Sequence, residues 1–379
     1  MNSKFLPVLS FLTLLGCSGS HNKSSDEQLK KLLNVKYAKG FEIEEYDNVR
    51  IVKVLNPWQG SNNISYRYRL ACDAPTKTLD KNEVFIRVPI RRVVCLSTTH
   101  IAFIDFLDRS SSILGVSGAG LIYSKRVTER VEKGFVKDVG YDQNLNYELI
   151  TSLQPDVIFC YGVGSESIGY LNRLSELGHK LFFIGDYLEE HPLGKAEWIR
   201  VFGALFGLDV QADSLFNLIE RDYLETTHLL KEKVHKPVVF LNSPWKDSWF
   251  FPGKENYIVK LINDAGGSYV FDSLLEGTRS YPVSLERALE AGMKSDIWLN
   301  PGTANSITDI TLFDERLTIL LPYRTGMIYN NNNRMSSGGG NDFWESGVVR
   351  PDLVLKDLIF IFNPAILPDH QLYYYKKLE

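Results

Sequence analysis

Two patterns of apolar and polar residues follow each other along the chain, and the change falls near residue 90. In residues 35–90 apolar and polar positions alternate, most clearly at 49–54 and 65–70. An alternation of period two predicts antiparallel strands with one buried face. From residue 91 short apolar segments are separated by stretches with helical spacing, which predicts a parallel α/β lobe. The apolar segments of this lobe are residues 93–96, 113–116, 157–160 and 181–184.

A long helical stretch without strands separates this lobe from a second one. Apolar residues at helical spacing run through residues 193–233, where Gly207 predicts a break between two helices. Strand-like and helix-like segments then alternate again. The sequence therefore predicts an α/β fold with two lobes, a helical connector between them and antiparallel strands before them. The predicted boundaries are 35–90 for the N-terminal β extension, 91–191 for the N-terminal α/β lobe, 192–235 for the connector and 236–379 for the C-terminal α/β lobe.

A short internal repeat relates the two lobes. Glu148 in one copy and Glu286 in the other stand at the second helical position after a capping residue. After each helix an aspartate, Asp156 or Asp296, introduces an apolar strand. We therefore expect the two lobes to share one structural plan.

The N-terminus has the features of an export signal. A positively charged start is followed by an apolar run at residues 5–15, which is too short to span a bilayer. Residues 14–17 read Leu-Leu-Gly-Cys and resemble the bacterial lipobox, in which the cysteine is acylated. We expect a lipoprotein signal peptide at 1–16, a flexible polar tether at 17–34 and a lipid anchor on Cys17. The alternative is an ordinary secretory peptide in which the cysteine stands by chance.

Composition and charge exclude several classes of function. The formal net charge is −4 and the lysines and arginines are dispersed, so nothing predicts binding to nucleic acid. Cys72, Cys95 and Cys160 are an odd number without metal-site spacing, and the last two lie in apolar strands, so we expect structural thiols. The histidines are scattered, with His100 at a predicted strand-to-helix turn, so we expect no site for a bare metal ion.

Several segments, in this order, resemble the class III periplasmic binding proteins, which serve ABC importers of iron-siderophores, haem and vitamin B12. The matching segments are residues 92–97, 114–118, 139–140, 146–159, 251–253, 265–267, 284–286 and 296–298. The resemblance implies two Rossmann-like lobes joined by a rigid helix, with the ligand in the groove between them. It also implies that Glu148 and Glu286 form salt bridges with arginines of a membrane permease. The alternative for these glutamates is that each only complements its helix dipole.

The ligand groove should lie at the carboxyl ends of the strands, as in other open α/β sheets. On one wall we expect Ser97, Thr98, Thr99 and Tyr161. On the other wall we expect Trp245, Trp249, Arg279 and Tyr281, with Trp58 as a weaker candidate. Aromatic rings suit a flat macrocycle or a catecholate, and arginine suits an anionic chelate. The alternative for each tryptophan is packing in the core.

A polar, glycine-rich segment at residues 329–345 predicts a mobile loop at the mouth of the groove, or else an ordinary solvated loop. Arg324, Tyr329 and Arg334 are further candidate ligand contacts in or near it.

These features together predict the substrate-binding lipoprotein of an ABC importer. Its cargo would be a ferric siderophore, haem or cobalamin, and its partner a membrane permease. We expect a monomer on the periplasmic side of a bacterial membrane, without a catalytic residue, an intrinsic cofactor or a protein-bound metal. No GxSxG, HExxH or Walker motif stands in the context that would support catalysis. The alternatives are an extracytoplasmic enzyme or a chelate-handling scaffold on the same fold.

Overall fold

A computed structural model describes residues 30–75, 79, 83–141, 144–162, 166–230, 235–246 and 248–379. The predicted signal peptide, Cys17 and most of the predicted tether lie outside the described residues. The described residues form three five-stranded sheets and one three-stranded sheet. The α/β class, the two lobes and the N-terminal extension agree with the sequence prediction.

The first sheet is the N-terminal extension. Its strands are β1 (Lys31–Leu32), β2 (Phe41–Glu45), β3 (Arg50–Leu55), β4 (Ser65–Ala71) and β5 (Glu83–Arg87), in that spatial order. The first four are antiparallel as predicted, whereas β5 pairs with β4 in parallel. The parallel pair corrects the prediction of a purely antiparallel extension.

The described residues of the extension pack against lobe 1 and do not line the pocket described below. The Tyr68 ring stacks on Phe182 with a centroid distance of 4.0 Å, and its hydroxyl accepts a hydrogen bond from the N–H of Phe183 at 3.1 Å. Trp58 also packs against Phe183, with a centroid distance of 5.6 Å. Trp58 is therefore an interface residue between the extension and lobe 1, which corrects its assignment as a candidate ligand contact.

Two buried glutamates fasten the start of the extension. The Glu197 carboxylate accepts the backbone N–H groups of residues 36–38 at 2.8–3.2 Å. The Glu189 carboxylate accepts those of residues 39 and 40, together with the indole N–H of Trp198. Buried main-chain N–H groups require such acceptors. These two side chains therefore hold residues 36–40, at the start of the extension, against the connector.

Lobe 1 is a fully parallel sheet covered by helices. Its strands are β6 (Val93–Cys95), β7 (Ile113–Val116), β8 (Lys137–Asp138), β9 (Val157–Cys160) and β10 (Leu181–Phe183). Its helices are α1 (Thr98–Phe106), α2 (Lys125–Glu132), α3 (Tyr147–Leu153) and α4 (Glu166–Glu176). The strand order is β10-β9-β6-β7-β8, so the chain reverses direction across the sheet between β6 and β9. A reversal of this kind leaves a crevice at the carboxyl ends of the two strands.

Three helices form the connector: α5 (Pro192–Glu197), α6 (Ile199–Phe206) and α7 (Asp209–Thr227). Gly207 ends α6 in the left-handed conformation with φ 68°, as the sequence predicted. Helix α7 has 19 residues and is therefore about 28 Å long.

Helix α7 is hydrogen bonded to both lobes. Near its start, the Gln211 amide donates to the carbonyl of Leu107 at the end of α1, at 3.3 Å. Near its end, the Tyr223 hydroxyl donates to Asp264 of lobe 2 at 2.7 Å. Helix α7 is therefore the element that bridges the lobes, a point that the sequence left open.

Lobe 2 has a mainly parallel sheet with a different strand order, and its last strand is antiparallel to its neighbour. Its main sheet contains β11 (Val238–Leu241), β14 (Ser268–Tyr269), β16 (Ile297–Leu299), β17 (Ile328–Asn330) and β18 (Lys376–Lys377), in the order β14-β11-β16-β17-β18. A small sheet contains β12 (Pro244–Trp245), β13 (Ser248–Pro252) and β15 (Ser280–Ser284). The helices are α8 (Tyr257–Asp264), α9 (Leu285–Gly292), α10 (Ile307–Phe313), α11 (Leu321–Thr325) and α12 (Pro351–Phe362).

The internal repeat is present at the level of single hydrogen bonds. In lobe 1, Asp156 precedes β9 and its carboxylate accepts the N–H groups of Arg91 and Arg92 at 2.8 and 2.9 Å. In lobe 2, Asp296 precedes β16 and its carboxylate accepts the N–H of Val238 at 2.7 Å. Each aspartate thereby fastens the first strand of its lobe to the strand that it introduces, so the two lobes share this part of their plan.

Candidate functional site

A pocket of about 350 Å³ lies between the two lobes. Lobe 1, the connector, helix α8 and the C-terminal part of the chain all contribute to it. The residues that line it are Ser97, Thr98, Thr99, Asp186, Tyr187, Pro192, Lys195, Tyr257, Leu261, Phe343, Trp344, Gly347, Val348, Pro351 and Val354. Its volume is near the lower end of the range for small-molecule sites, so a ligand as large as cobalamin would extend beyond it.

The wall from lobe 1 stands at the carboxyl ends of its strands. Ser97 follows β6 and caps α1, because its hydroxyl accepts the N–H of Thr99 at 3.3 Å. Asp186 and Tyr187 follow β10 in the same way. The Tyr187 hydroxyl donates to the carbonyl of Gly162, and burial raises the pKa of this phenol to about 12. Strand ends of lobe 1 therefore supply several polar groups of the pocket, and Ser97, Thr98 and Thr99 among them lie where the sequence predicted.

One ion pair is built into the pocket. Asp186 is 2% exposed, and its carboxylate lies 3.7 Å from the ammonium of Lys195. The same ammonium donates to the main-chain carbonyl of Asp186 at 3.1 Å and lies 4.5 Å from the centroid of the Tyr257 ring. Burial raises the pKa of Asp186, and the charge of Lys195 partly offsets that effect. The pair therefore places two opposite charges in a mostly apolar wall.

The wall opposite lobe 1 is apolar and aromatic. Tyr257 and Leu261 come from α8, while Phe343 and Trp344 come from the chain after β17. Phe343 is buried, and Trp344 is 52% exposed. Aromatic rings of this kind can cover the face of a large, flat ligand. Because Trp344 is half exposed, we place the mouth of the pocket at its side chain.

Residues 334–345, which we call the strap, connect lobe 2 with lobe 1. The Glu345 carboxylate accepts the backbone N–H groups of Tyr123 and Ser124, at the start of α2, at 2.7 and 2.8 Å. The guanidinium of Arg334 lies between the rings of Tyr123 and Tyr373, at 4.9 and 4.1 Å from their centroids. The strap therefore holds the two lobes together beside the pocket.

Residues 329–345 are only partly a solvated loop, because residues 337–339 are exposed whereas the start of the segment is buried. Asn330, Asn331 and Asn332 are buried, and the amide of Asn330 donates to the carbonyls of Gly302 and Ala304. Asparagine amides that satisfy main-chain carbonyls can be buried, although the same residues are typical of loops. Arg334 is paired with Asp342 at 2.6 Å, so its charge is already neutralised within the strap.

The structure places the predicted ligand contacts in different surroundings. Ser97, Thr98 and Thr99 line the pocket. Tyr161 is one layer behind it, because its ring packs edge-on against Tyr187 at 6.4 Å. Tyr329 is half-buried in β17, and it does not line the pocket.

Trp249 was expected in the groove, and the structure corrects that prediction. The ring is 0% exposed and packs against Phe240 and Trp298, with centroid distances of 4.7 and 5.7 Å. Its indole N–H donates to the carbonyl of Leu241 at 2.9 Å. The pleat of the short strand β13 turns this side chain toward the core of lobe 2, so Trp249 stabilises the fold instead of lining the groove.

The other predicted contacts from lobe 2 also lie outside the pocket lining. Trp245, on the short strand β12, is 68% exposed. The guanidinium of Arg279 lies 4.7 Å from the centroid of the Tyr281 ring, beside the same small sheet. Arg324 is exposed on α11. None of these four side chains belongs to the described lining of the pocket.

Glu148 and Glu286 occupy equivalent positions in the two lobes. Each is exposed and stands at the second position of its helix, after Asn146 and Ser284, whose side chains accept the N–H of the third helical residue. The predicted helix starts are therefore confirmed. Both carboxylates are available to a partner, and docking to a permease stays a prediction.

The described residues contain neither a cluster of side chains for a metal ion nor a membrane-spanning helix. No group of three or more His, Cys, Asp or Glu side chains there could hold a metal ion. No helix of the described part is long and apolar enough to cross a membrane. Cys95 and Cys160 are buried thiols in β6 and β9, as expected for structural cysteines, whereas Cys72 is exposed.

Asp186, Tyr187, Lys195 and the aromatic residues of the C-terminal wall were not predicted from the sequence. The rule that placed Ser97 after β6 applies equally to Asp186 after β10, so this residue could have been found. Phe343 and Trp344 lie in the segment 329–345, for which a loop at the mouth of the groove was one interpretation, but neither residue was named as a ligand contact, because their exact position depends on the contacts of the strap with lobe 1.

Two lobes with mainly parallel sheets, a bridging helix and a pocket between the lobes define a bilobal binding protein. The family model described as periplasmic binding protein matches residues 93–309, and the chain belongs to this family, in its class III branch. A lipoprotein of the archaeon Methanocaldococcus jannaschii, MJ0878, is 24% identical over 93% of this chain and 87% of its own length.

Solved structures share the fold. A possible iron-binding, periplasmic solute-binding protein of Staphylococcus epidermidis superimposes with a TM-score of 0.56 at 19% identity, over 73% of this chain and 99% of that protein. A periplasmic heme-binding protein of Pseudomonas aeruginosa gives a TM-score of 0.54 at 15% identity, over 73% and 94% of the two chains. The family and these neighbours are binding proteins and not enzymes.

Proposed function

We propose that this protein captures a metal chelate, namely a ferric siderophore, haem or cobalamin, and delivers it to the permease of an ABC importer. The observation that carries the proposal is the pocket between the lobes, with Tyr187, Tyr257, Phe343 and Trp344 around the ion pair of Asp186. A site with aromatic walls and few polar groups suits a large ligand with an apolar face.

The route to the membrane belongs to the same proposal. Acylation of Cys17 would hold the protein on the periplasmic side of a membrane, and its lipoprotein relative in Methanocaldococcus jannaschii supports a lipid anchor. Glu148 and Glu286, one on each lobe, would then orient the loaded protein on the permease. Paired carboxylates on two rigid bodies favour one docking orientation and raise the association rate.

Titration tests the proposal directly. The full chain with Cys17→Ser, which cannot be acylated at this position, is titrated with haem, cobalamin and several ferric siderophores by calorimetry. We expect one of them to bind with a stoichiometry of one, and we expect binding to weaken in Trp344→Ala, because this substitution removes an aromatic wall. Trp245→Ala, outside the pocket, is the matched control. If no chelate binds, the proposed function is wrong.

A further inference from the structure

The charges in the pocket wall are balanced. Among the described lining residues, Asp186 and Lys195 are the charged ones, and they lie 3.7 Å from each other. The remaining described lining consists of hydroxyl-bearing, aromatic and aliphatic residues with two prolines and a glycine. The wall therefore has no surplus charge with which to attract a charged ligand.

The ammonium of Lys195 is already engaged by the protein. It donates to the main-chain carbonyl of Asp186 at 3.1 Å, faces the carboxylate of the same residue and lies over the Tyr257 ring at 4.5 Å. The Lys195 side chain is 12% exposed. An anionic ligand could use this ammonium only if it displaced contacts that neutralise and orient it now.

The carboxylate of Asp186 opposes an anion and favours a hydrogen-bond donor. It is 2% exposed, and its Oδ2 atom faces the ammonium of Lys195 at 3.7 Å, which is longer than a hydrogen bond. A buried acceptor that lacks a close donor is unfavourable, and a ligand that supplies an N–H or O–H group relieves that cost. A negative charge at the same place would be repelled across a medium of low dielectric constant.

Two arginines of the C-terminal part of the chain are also paired. Arg334, on the strap, bonds to Asp342 at 2.6 Å. Arg350, next to the lining residue Pro351, forms two hydrogen bonds with the Asp352 carboxylate, at 2.9 and 2.8 Å. In a bidentate pair, two N–H groups of the guanidinium bond to one carboxylate. The same N–H groups are then not available to a carboxylate or a phenolate of a ligand. Neither arginine is therefore free to neutralise an anionic chelate.

From these four observations we infer that the pocket selects a chelate without net negative charge that offers a hydrogen-bond donor to Asp186. A neutral ferric trihydroxamate or a corrinoid has this chemistry, whereas a ferric tris-catecholate and haem, with its carboxylates, do not. The inference rests on the proposed function and narrows its three candidate cargoes by charge.

The wild-type pocket is tested with ligands of different charge. The Cys17→Ser chain is titrated calorimetrically with a neutral ferric trihydroxamate, cyanocobalamin, a ferric tris-catecholate and haem. We expect a neutral ligand to bind at least about tenfold more tightly than either anionic one, because a like charge beside a buried carboxylate costs more than about 1.4 kcal/mol. Tighter or equal binding of an anionic chelate overturns the inference and leaves the proposed function standing. If none of the four binds, both fail.

A substitution of Asp186 tests whether this residue causes the preference for chelates without net negative charge. Asp186→Asn keeps the shape of the side chain and leaves the charge of Lys195 unbalanced, so we expect the affinity for the anionic chelates to rise by about tenfold. Asp272→Asn, an exposed residue of lobe 2, is the control and should change nothing. Unchanged selectivity in a folded Asp186→Asn protein contradicts the assigned role. If that variant does not fold, the affinities of the unsubstituted pocket for neutral and anionic chelates still test the inference.

Discussion

The carboxylate of Glu345 in the strap accepts a hydrogen bond from the backbone N–H of Ser124 in lobe 1 at 2.8 Å. Glu345 is 2% exposed, and burial raises its pKa from 4.5 to about 7, although the N–H groups of Tyr123 and Ser124 favour the charged form. The nearby carboxylates of Asp342 and Asp105 raise it further. One ionisable group thus stands on the contact that holds the lobes together.

Stability should therefore fall as the pH rises through the range of this group. Between pH 4.5 and about 7 the folded protein binds a proton at Glu345 that the unfolded chain has released. Proton binding at Glu345 contributes about 3 kcal/mol to the free energy of unfolding. This contribution is fully present below pH 4.5 and is lost above about pH 7. Glu345→Gln mimics the neutral form and should remove this part of the pH dependence, as measured by urea unfolding from about pH 5 to 8.

Other buried acids, including Asp186 and Glu189, change stability in the same direction, because burial raises their pKa as well. The prediction therefore concerns the difference between wild type and Glu345→Gln. Glu129→Gln, an exposed residue of α2, is the control. A wild-type profile parallel to that of Glu345→Gln over the whole range would contradict the assigned role of Glu345.

The fastening of the N-terminal extension gives a second prediction. Glu197→Ala removes the acceptor of three backbone N–H groups at residues 36–38 and should destabilise the protein by about 3 kcal/mol. Limited proteolysis should then cut near residue 36 before the lobes unfold. Glu225→Ala, an exposed residue of α7, should behave like the wild type. Equal unfolding free energies for both variants would show that the extension is held by other contacts.

Close packing of the strap on lobe 1 can be tested with one methyl group. A Cβ atom on Gly340 would lie 2.4 Å from the carbonyl oxygen of Leu121, so Gly340→Ala should push the strap away. We expect a loss of about 1–3 kcal/mol in the free energy of unfolding and a larger radius of gyration in X-ray scattering. Gly169→Ala, in α4, meets no atom within 4 Å and should be neutral or slightly stabilising. An unchanged radius of gyration in Gly340→Ala would show that the lobes stay together without the strap.

The paired glutamates predict a defect in delivery without a defect in capture. Glu148→Ala combined with Glu286→Ala should leave the affinity for the chelate unchanged and reduce its import into cells by about tenfold or more, since docking loses its charges. Uptake of a radiolabelled chelate measures the second effect. The exposed Glu129 again supplies a control substitution. Normal uptake by the double variant would mean that these carboxylates only complement the dipoles of their helices.

Local patterns predicted much of the fold because their causes are local. Helix α3 begins at Tyr147 and α9 at Leu285, directly after capping residues that the sequence displays. Gly207 ended α6 as expected, because glycine adopts the left-handed conformation without strain. The repeat around Asp156 held for the same reason.

The site was harder to predict, because its residues meet across long stretches of chain. Glu345 and Tyr123 are 222 positions apart, and no periodicity in either segment indicates the contact. The strap is polar and glycine-rich, which is typical of a loop, yet its glycines allow the close approach to lobe 1. Trp245 and Trp249 show the other difficulty: both stand in the same hairpin, and only the direction of the strand pleat decides which one is buried.

Because α7 is attached to both lobes, the lobes are harder to separate on the side of this helix than on the side of the strap. Separating the lobes at this helix would break the bonds of Gln211 and Tyr223 and expose a packed helix face. Separating them at the strap requires mainly the loss of polar and ring contacts around Glu345 and Arg334. We therefore expect cargo to enter and leave past Trp344, through a single exit, and a transporter that empties the protein needs to act on that side alone.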